Sequence, residues 1–585
     1  MSLFTLLAVE ASLAGCAAGG MPPLAGHNAY NQAVVPTTFS SRLTRTQRLV
    51  AGFGLSIFIA FSTAVCARGQ TAANASPADG GRILLVLPFD NRTGQPSLDW
   101  IREAAAELLS SRFRSVGFDP MSRADRRYAL DHLGLPQGFH PSRASSLKLA
   151  ETLDADSIVV GSYTTDGTAI AAQAQLVDVP HLRMREAVTA RGEMRNMIDV
   201  FDSLAWKLTR QLDPGISVAE ETFIAAGKGM RLDAFEQYIR GITEPDQTER
   251  LRHLEQAVQL SPELGPAWMA LGREDYDGQQ YEQAADAFAK VDKNATDGLE
   301  AGYYRGLSFL FSGNYANSEK AFADVARILP LAEVVNNEAV AVSRQGHDGT
   351  ELFMQAAADD PSSADYHFNL AVSLKRHGQI PGALNELAQC LKLRPSDAEA
   401  LQMQAAWKQP TVRPAALASA TPGADADPAP DPLERIVRTF DAAAFRQAAQ
   451  MLDQVDAARL AALKPLDQAQ KLSVQAKGFL DRGLLLEAER LYQSAVAADG
   501  NCAEAHAGLA QVRERSGDAN GARMEAHQAL ELKPSAAAYL VLGRLDLASN
   551  NLSEANSDAA AALKLEPASQ AAQELNRRVQ AKAGH

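Results

Sequence analysis

Beyond Gly229 the sequence repeats its turn-forming residues at intervals close to 34 positions. The repeated residues are Gly278, Gly313, Gly346 and Gly378, and then Gly483, Gly517 and Asn550. Prolines keep a similar step, at Pro330, Pro361 and Pro395, and again at Pro534 and Pro567. A fixed period of this length is typical of a solenoid that stacks one supersecondary unit. This periodicity constrains the fold more than any other feature of the chain.

The residue types around each turn predict that the unit is a pair of antiparallel helices. Glycine or asparagine permits the left-handed conformation that ends the first helix, and proline marks the end of the second. Small residues let the two helices approach closely, at Ala284, Ala383, Ala488, Ala522 and Ala555. Large residues fill the space between neighbouring units, at Phe288, Phe322, Leu387 and Tyr492.

The strings WMALG (268–272), GNYANSEKAF (313–322) and YLVLG (539–543) carry these features, and the region resembles the tetratricopeptide repeat family. The resemblance implies curved arrays of helical hairpins that bind other proteins. We expect array 1 over residues 229–408. Array 2 is expected over 433–585, with a less regular helical pair at 433–468 and a polar capping helix at the end. A Pro/Ala-rich linker at 409–432 separates the arrays.

Residues 82–213 predict a small α/β domain ahead of the repeats. The apolar run from Ile83 to Phe89 suits a strand buried on both faces, and SIVVGSY (157–163) suits a second. The Asp166–Gly167 pair favours a hairpin into a third strand. Helices are expected at about 123–133, 142–153 and 196–212. The fold class is therefore multidomain, with a mixed sheet and flanking helices followed by two all-α solenoid arrays.

The α/β segment resembles the TolB-like, FlgO-type amino-terminal domain of bacterial envelope proteins. The residues that carry the resemblance are VLPFDNRTG (86–94), LDWI (98–101), SIVVGSYTTDG (157–167) and AQLVDV (174–179). The resemblance implies a small non-catalytic periplasmic domain that contacts other envelope proteins. The β-propeller that follows this domain in TolB has no counterpart here, so a role in the Tol system is not implied.

Residues 42–67 predict export of everything that follows them. Three arginines precede an uncharged run of nineteen residues, 49–67, which as a helix would span roughly 28 Å. This segment is either a cleaved signal peptide or a retained anchor, so the protein is expected in the periplasm or anchored to the inner membrane facing it. Residues 68–81 read as a flexible tether, and 1–41 as unstructured or a miscalled start. The alternative LAGC lipobox would place lipidation at Cys16.

Composition and motifs argue against several functions. The net charge of −14 disfavours nucleic acid as a partner, because phosphate-backbone binding needs a basic face. Four cysteines and eleven histidines show no metal-ligand spacing, and HExxH, CxxC and GxSxG are absent from the sequence. We therefore expect no metal, no cofactor and no enzymatic activity.

A possible polar site follows the first predicted strand, at Asp90, Asn91 and Arg92. Ligands of α/β folds often bind at the carboxyl ends of strands. The alternative interpretation is a turn whose side chains bond their own backbone, and we favour this turn.

The remaining functional surface is the concave side of array 1. Counting from each turn, the inward positions are Met269, Arg273, Tyr276, Tyr303, Leu307, Phe311, Phe368, Lys375 and Arg376. Aromatic and arginine side chains in a groove suit peptide capture, although some of them could instead pack against the adjacent repeat. The sequence thus predicts an envelope adaptor or scaffold whose partners are envelope proteins or peptides. The alternatives are a ligand-binding sensor domain at 82–213 coupled to the repeats, or an envelope enzyme.

Overall fold

The structure, a computed structural model, describes residues 83–135, 143–293, 295, 297–408 and 432–583. The predictions for residues 1–41, 42–67 and 68–81, including lipidation at Cys16, lie outside the described residues. So does the predicted linker, except for Pro432.

An α/β region opens the described chain. Its strands are β1 (Ile83–Val86), β2 (Asp90–Asn91), β3 (Asp119–Pro120), β4 (Ser157–Thr165), β5 (Ala169–Asp178), β6 (Arg183–Met184) and β7 (Val188–Glu193). Its helices are α1 (Trp100–Ser115), α2 (Arg123–His132), α3 (Arg143–Thr152) and α4 (Met197–Leu212). The described strands form one mixed sheet in the order β3-β1-β4-β5-β6, with β2 pairing β4 and β7 pairing β5. β1 is parallel to β3 and β4, whereas β4 and β5 form an antiparallel hairpin.

The apolar run that begins the domain is buried on both faces of the sheet, as predicted. Leu84 and Val86 belong to the cluster that contains residues of α1 and α4. Leu85 belongs to the opposite cluster with Ala129 of α2 and Leu149 of α3. The alternation of a β-strand produces this division, because successive side chains point to opposite faces. The predicted helices and the turn at Asp166–Gly167 are also present.

Paired helices make up most of the remaining chain. A short helix, α5 (Glu220–Gly227), leads into five hairpins. They are α6 (Leu232–Thr243) with α7 (Gln247–Leu260), α8 (Gly265–Asp277) with α9 (Tyr281–Phe288), α10 (Gly298–Phe311) with α11 (Tyr315–Ala326), α12 (Ala332–Arg344) with α13 (Thr350–Asp359), and α14 (Ala364–Arg376) with α15 (Ile380–Leu393). α16 (Ala398–Lys408) follows α15, and its residues Ala400 and Met403 pack against α14 and α15. These hairpins confirm a helical solenoid.

The second array begins after a single helix, α17 (Ala442–Ala461). Its hairpins are α18 (Pro465–Asp481) with α19 (Leu485–Ala498), α20 (Ala503–Ser516) with α21 (Ala519–Leu532), and α22 (Ala536–Ala548) with α23 (Leu552–Leu565). α24 (Gln570–Ala583) ends the described chain as the predicted capping helix. The structure differs from the helical pair expected at 433–468, because residues 432–438 form neither helix nor strand.

The turns between paired helices follow the predicted chemistry with one exception. Most of the repeating turn residues have a left-handed backbone: Gly313, Gly346, Gly378, Gly483, Gly517 and Asn550. Gly278 does not, since its φ is −75°, and the left-handed residue is Gln279 at φ 60°. In this hairpin the helix extends to Asp277 and the left-handed residue comes one position later than predicted.

Small and large residues divide the packing as expected. The five predicted alanines at the close approach of paired helices are each 0% exposed. Three of the predicted large residues, Phe288, Phe322 and Tyr492, are also buried. The ring of each covers a glycine on the first helix of a hairpin. At Gly306, for example, an added Cβ would lie 2.8 Å from ring carbons of Phe322.

Array 2 contacts the connector between the α/β region and array 1. The backbone N–H of Ala219 donates to Glu489 Oε1 at 3.3 Å, and Lys228 Nζ donates to the carbonyl oxygen of Ser516 at 3.3 Å. Glu489 is 0% exposed, and burial raises the pKa of its carboxyl, partly offset by Arg513. Within the described residues no helix is both long and apolar enough to cross a membrane.

Candidate functional site

A stretch of this chain lies across the first helices of array 1. We call residues 432–440 the groove segment. The surface that it contacts, on α10, α12, α14 and α16, we call the array-1 groove. Successive first helices of a solenoid line one side of it, so an extended chain crossing them meets equivalent positions of neighbouring repeats. The contacts of this segment define the site.

Two asparagines hold the backbone of the segment. Asn337 Nδ2 donates to the carbonyl oxygen of Val437 at 2.8 Å, and the Val437 N–H donates to Asn337 Oδ1 at 3.0 Å. Asn369 pairs with Arg435 in the same way, at 2.7 Å to its carbonyl oxygen and 2.6 Å from its N–H. Each side-chain amide thus acts as a neighbouring β-strand would, by satisfying one donor and one acceptor of the same residue.

A third asparagine connects the first two. Asn336 Nδ2 donates to the Arg435 carbonyl oxygen at 3.1 Å, and Asn369 Nδ2 donates to Asn336 Oδ1 at 2.8 Å. Asn336, Asn337 and Asn369 are each 0% exposed. Buried amides are costly unless they are hydrogen-bonded, so the groove requires a backbone, or ordered water in its place, along this line.

Arg435 enters an acidic pocket at the end of the array. Its guanidinium contacts Asp397 with both terminal nitrogens, at 2.7 and 2.9 Å, and contacts Asp365 at 2.8 Å and Glu399 at 3.2 Å. It also lies 3.6 Å from the ring centroid of Phe368. Burial of the guanidinium alone would lower its pKa, but the hydrogen bonds to Asp397, Asp365 and Glu399 raise that pKa. Ion pairing and cation–π contact therefore act on the same side chain.

Glu434 enters a basic pocket beside it. Its carboxylate, whose side chain is 1% exposed, accepts from Ser343 Oγ at 2.5 Å and from Arg344 Nε at 2.9 Å, and it also pairs with Arg376. Burial alone would raise the pKa of this carboxyl, but the bond from Ser343 and the charge of Arg376 lower it. The acidic Glu434 thus faces a basic pocket, and the neighbouring basic Arg435 faces an acidic pocket.

Aromatic contacts anchor the end of the segment. Phe440 and Phe445, 4.0 Å apart between ring centroids, lie against Tyr303 at 5.6 and 6.1 Å. The Tyr303 hydroxyl donates to the Val437 carbonyl oxygen at 2.9 Å. Arg438 lies 5.3 Å from the ring centroid of Phe311. The segment therefore has polar contacts along its backbone and apolar contacts where it leads into α17.

The segment does not fill the groove. A cavity of about 540 Å³ remains between the two. Its walls are Leu310, Phe311, Tyr315, Arg344 and Asp365 on the array side, and Leu433, Glu434, Arg435, Ile436 and Arg438 on the segment side. The groove therefore has room for side chains larger than those of the segment.

The residues predicted from the repeat pattern fall into two groups. Tyr303, Phe311, Phe368 and Arg376 contact the groove segment, and Leu307 shares a cluster with Phe445. Tyr276 packs on Phe311 and adjoins the same cluster, at the edge of the groove. The others lie elsewhere, because Met269 is buried with Phe288 between hairpins, Arg273 pairs with Glu300, and Lys375 is half-buried near the end of α14. Met269 therefore packs between neighbouring repeats and does not form part of the groove surface.

Sequence reasoning missed the asparagines and the segment itself. The available signal was positional, because Asn337 and Asn369 occupy equivalent sites in successive repeats, 32 residues apart. Tyr303 stands 34 residues before Asn337. The segment could not be recognised, because its charges read as an ordinary solvated stretch beside a linker.

The polar residues after the first strand do not form the favoured turn directly, because Asp90 and Asn91 form the short strand β2 on β4 and the closed loop comes after them. Asn91 Nδ2 donates to the Gln95 carbonyl oxygen at 3.0 Å and to Asp99 Oδ1 at 2.6 Å, and Asn91 Oδ1 accepts from the Thr93 N–H at 2.9 Å. Asp90 and Arg92 are exposed. The Asn91 side chain is thus used to close its own loop.

Other candidate centres are few. Among the described residues no group of His, Cys, Asp and Glu side chains is arranged to hold a metal ion. Cys390 and Cys502 are buried free thiols, and Cys390 lies in the apolar cluster with Phe368 and Leu387. Cys390 is therefore a small core side chain.

Comparison with known proteins gives likenesses of parts of the fold. No protein-family model matches this sequence, and no curated protein sequence matches it. YrrB, a TPR protein with an unusual peptide-binding site, is 14% identical with a TM-score of 0.27, over 35% of this chain and 99% of its own. MamA from Desulfovibrio magneticus RS-1 is 20% identical with a TM-score of 0.27, over 29% and 99%. The LpoB C-terminal domain from Salmonella enterica is 23% identical with a TM-score of 0.18, over 20% and 88%. The TolB-like resemblance stays a prediction.

Proposed function

We propose that this protein is a non-enzymatic scaffold of the bacterial cell envelope that binds extended segments of other proteins in the array-1 groove. One observation carries the proposal. Asn337 and Asn369 each pair with both the N–H and the carbonyl oxygen of alternate residues in a chain that is neither helix nor strand. This pairing recognises only backbone groups, so it suits the main chain of any extended segment. The pockets beside it select the side chains.

The groove is preorganised for such a ligand. The asparagines stand on helices that are held by apolar packing between repeats, so a ligand meets backbone positions that are already fixed. A binding partner therefore gains the hydrogen bonds without a large entropic cost on the receptor side. No covalent chemistry is required, and the groove functions by recognition alone.

The envelope location rests on the amino-terminal sequence. Three arginines followed by the uncharged run 49–67 favour export of the α/β region and both arrays. A fusion of alkaline phosphatase to the carboxyl terminus tests this, because the enzyme is active only outside the cytosol. We expect active fusions, whereas an inactive phosphatase fusion paired with an active β-galactosidase fusion would place the arrays in the cytosol.

Site-specific photo-crosslinking in cells tests the binding function. A benzophenone amino acid replaces Tyr315, which lines the cavity beside the segment. The matched control position is Lys320, an exposed residue on the same helix. We expect crosslinks at position 315 that map to one short segment of each partner, and far fewer at position 320.

The groove asparagines supply the decisive comparison. When Asn337→Asp and Asn369→Asp are added to the crosslinking chain, the carbonyl-facing donors are lost and the crosslinks at position 315 should disappear. Crosslinks that persist unchanged in a chain with wild-type helix content would show that partners do not use the asparagine line.

A further inference from the structure

We propose that the groove segment is a built-in competitor for the array-1 groove. The partner of the groove would then be an extended segment with the same charge pattern, an acidic residue followed directly by an arginine. This inference rests on the proposed function, because it names the ligand class and the regulation of the same groove.

The partner chemistry follows from the two pockets. The pocket for the first residue contains Arg344 and Arg376, and the pocket for the second contains Asp365 and Asp397. A segment with these charges reversed would place like charges together in both pockets, which costs far more than a missing contact. The groove therefore discriminates by charge order as well as by charge.

The second position requires arginine in particular. The guanidinium contacts Asp397 with both terminal nitrogens while its face lies on the Phe368 ring at 3.6 Å. A planar fork that is paired at its edge and stacked on its face fits both contacts, whereas a lysine ammonium can make only one of them well. The backbone position of this arginine is fixed by Asn369.

Covalent attachment makes the segment a strong competitor. The segment belongs to the same chain as the groove, so docking is intramolecular and proceeds at an effective concentration on the order of mM for a short connection. A partner must displace it, and the apparent affinity for the partner falls by the fraction of chains in which the groove is open. Changes in the segment itself that weaken its docking, and that leave the groove intact, therefore strengthen binding of a partner.

A peptide-binding experiment on the full chain tests the proposal. The probe is a fluorescein-labelled peptide of residues 432–446, used beside the same peptide with Arg435→Ala. The receptors are the wild-type chain and a chain with Arg435→Glu and Val437→Pro. The first change sets a carboxylate against Asp365 and Asp397, and the second removes the N–H that Asn337 accepts. Thr439→Ala, at an exposed position of the same segment, is the matched control.

The expected result has two parts. The double variant should bind the unaltered peptide about tenfold or more tightly than the wild-type and Thr439→Ala chains do. The Arg435→Ala peptide should bind the double variant at least about tenfold more weakly than the unaltered peptide. Circular dichroism confirms that all receptors have equal helix content.

Two further outcomes separate the proposals. This inference is overturned if the wild-type and double-variant chains bind the peptide equally, or if the Arg435→Ala peptide binds as tightly as the unaltered peptide. The proposed function still stands in either case if Asn337→Asp in the receptor weakens peptide binding. The proposed function itself is overturned if neither the 432–446 peptide nor any of a panel of unrelated extended peptides shows binding to the double variant that Asn337→Asp weakens. If the wild-type chain forms dimers that the peptide dissociates, the segment docks in the groove of a second chain, and the proposal of intramolecular competition is overturned.

Discussion

Asn337 satisfies both backbone groups of Val437, donating to its carbonyl oxygen at 2.8 Å and accepting from its N–H at 3.0 Å. The two residues are 100 positions apart in the chain. With the segment in place Asn337 is fully buried, so its donor and its acceptor both need partners, and Val437 supplies them.

Asn337→Asp should release the groove segment. The substitution keeps the shape and the acceptor but replaces the amide donor with a carboxylate oxygen facing the Val437 carbonyl. Loss of a buried donor costs about 1–3 kcal/mol, so docking should weaken by roughly tenfold or more. Limited trypsin digestion measures this, because cleavage after Arg435 and Arg438 requires an undocked segment.

Asn317→Asp is the control for this variant, since Asn317 is exposed on α11. It should leave the trypsin pattern unchanged. Equal cleavage rates at Arg435 in the wild-type chain and in Asn337→Asp would contradict the role of the asparagine.

Arg435→Lys should weaken docking despite keeping the charge. Lysine loses the two-nitrogen contact with Asp397 and the flat contact with the Phe368 ring. We expect a loss of about 1–2 kcal/mol, which is an approximately tenfold rise in the dissociation constant of a peptide that carries this change. Fluorescence anisotropy with the double-variant receptor measures it, and an unchanged constant would show that only the charge matters.

Docking of the segment should weaken in acid. The hydrogen bond from Arg435 holds the pKa of Asp397 below its usual value of 3.8. The docked state therefore binds fewer protons than the released state, and its advantage is present well above the free pKa of 3.8 and is lost as the pH falls through the lowered pKa. Glu434 of the peptide contributes in the same direction, because, against the effect of burial, Ser343 and Arg376 lower its pKa from 4.5 in the docked state. Peptide anisotropy from pH 7 to pH 3.5 should therefore be flat down to about pH 5.5 and then fall.

The control for the acid effect is the double-variant chain with Asp397→Asn added. The amide has no titrating group, so this receptor should bind the peptide more weakly at pH 7 and with a smaller loss in acid. A binding curve that already weakens between about pH 7 and pH 6 would point to a titrating group other than Asp397 and Glu434.

Gly306→Ala should destabilise array 1. An added Cβ would lie 2.8 Å from ring carbons of Phe322, which is itself fully buried. Overpacking of this kind costs about 1–3 kcal/mol. Gly478→Ala is the matched control, because an added Cβ at this helical glycine meets no atom within 4 Å and should stabilise the helix by up to about 1 kcal/mol. Urea unfolding followed by circular dichroism measures both, and equal effects would contradict the packing at Gly306.

The sequence predicted the architecture because the determinants of the fold are local and repeated. The alanines at the helix contacts, the large residues between repeats and the left-handed glycines recur in each unit, so the pattern identifies the hairpins directly. The exception at Gly278 and Gln279 shows the limit. A glycine indicates that a turn is near, while the length of the helix before it decides which residue adopts the left-handed conformation.

The candidate site was predicted only in part, for a physical reason. Tyr303, Phe311, Phe368 and Arg376 could be placed on first helices by counting from the turns. Their occupant could not be predicted, because the groups that the side chains of Glu434 and Arg435 contact are 36 to 91 residues away in the chain. An extended segment has no periodicity of its own, and only its contacts distinguish it from a linker.

Amide hydrogen exchange of the full chain tests the central claim most directly. The Arg435 and Val437 N–H groups donate to Asn369 and Asn337, so their exchange reports docking of the segment residue by residue. We predict that both amides are protected in the wild-type chain and exchange at least about tenfold faster in the Asn337→Asp, Asn369→Asp chain, while amides of α10 and α11 are unchanged. Exchange of both amides in the wild-type chain at the rate of an unstructured peptide would contradict the account.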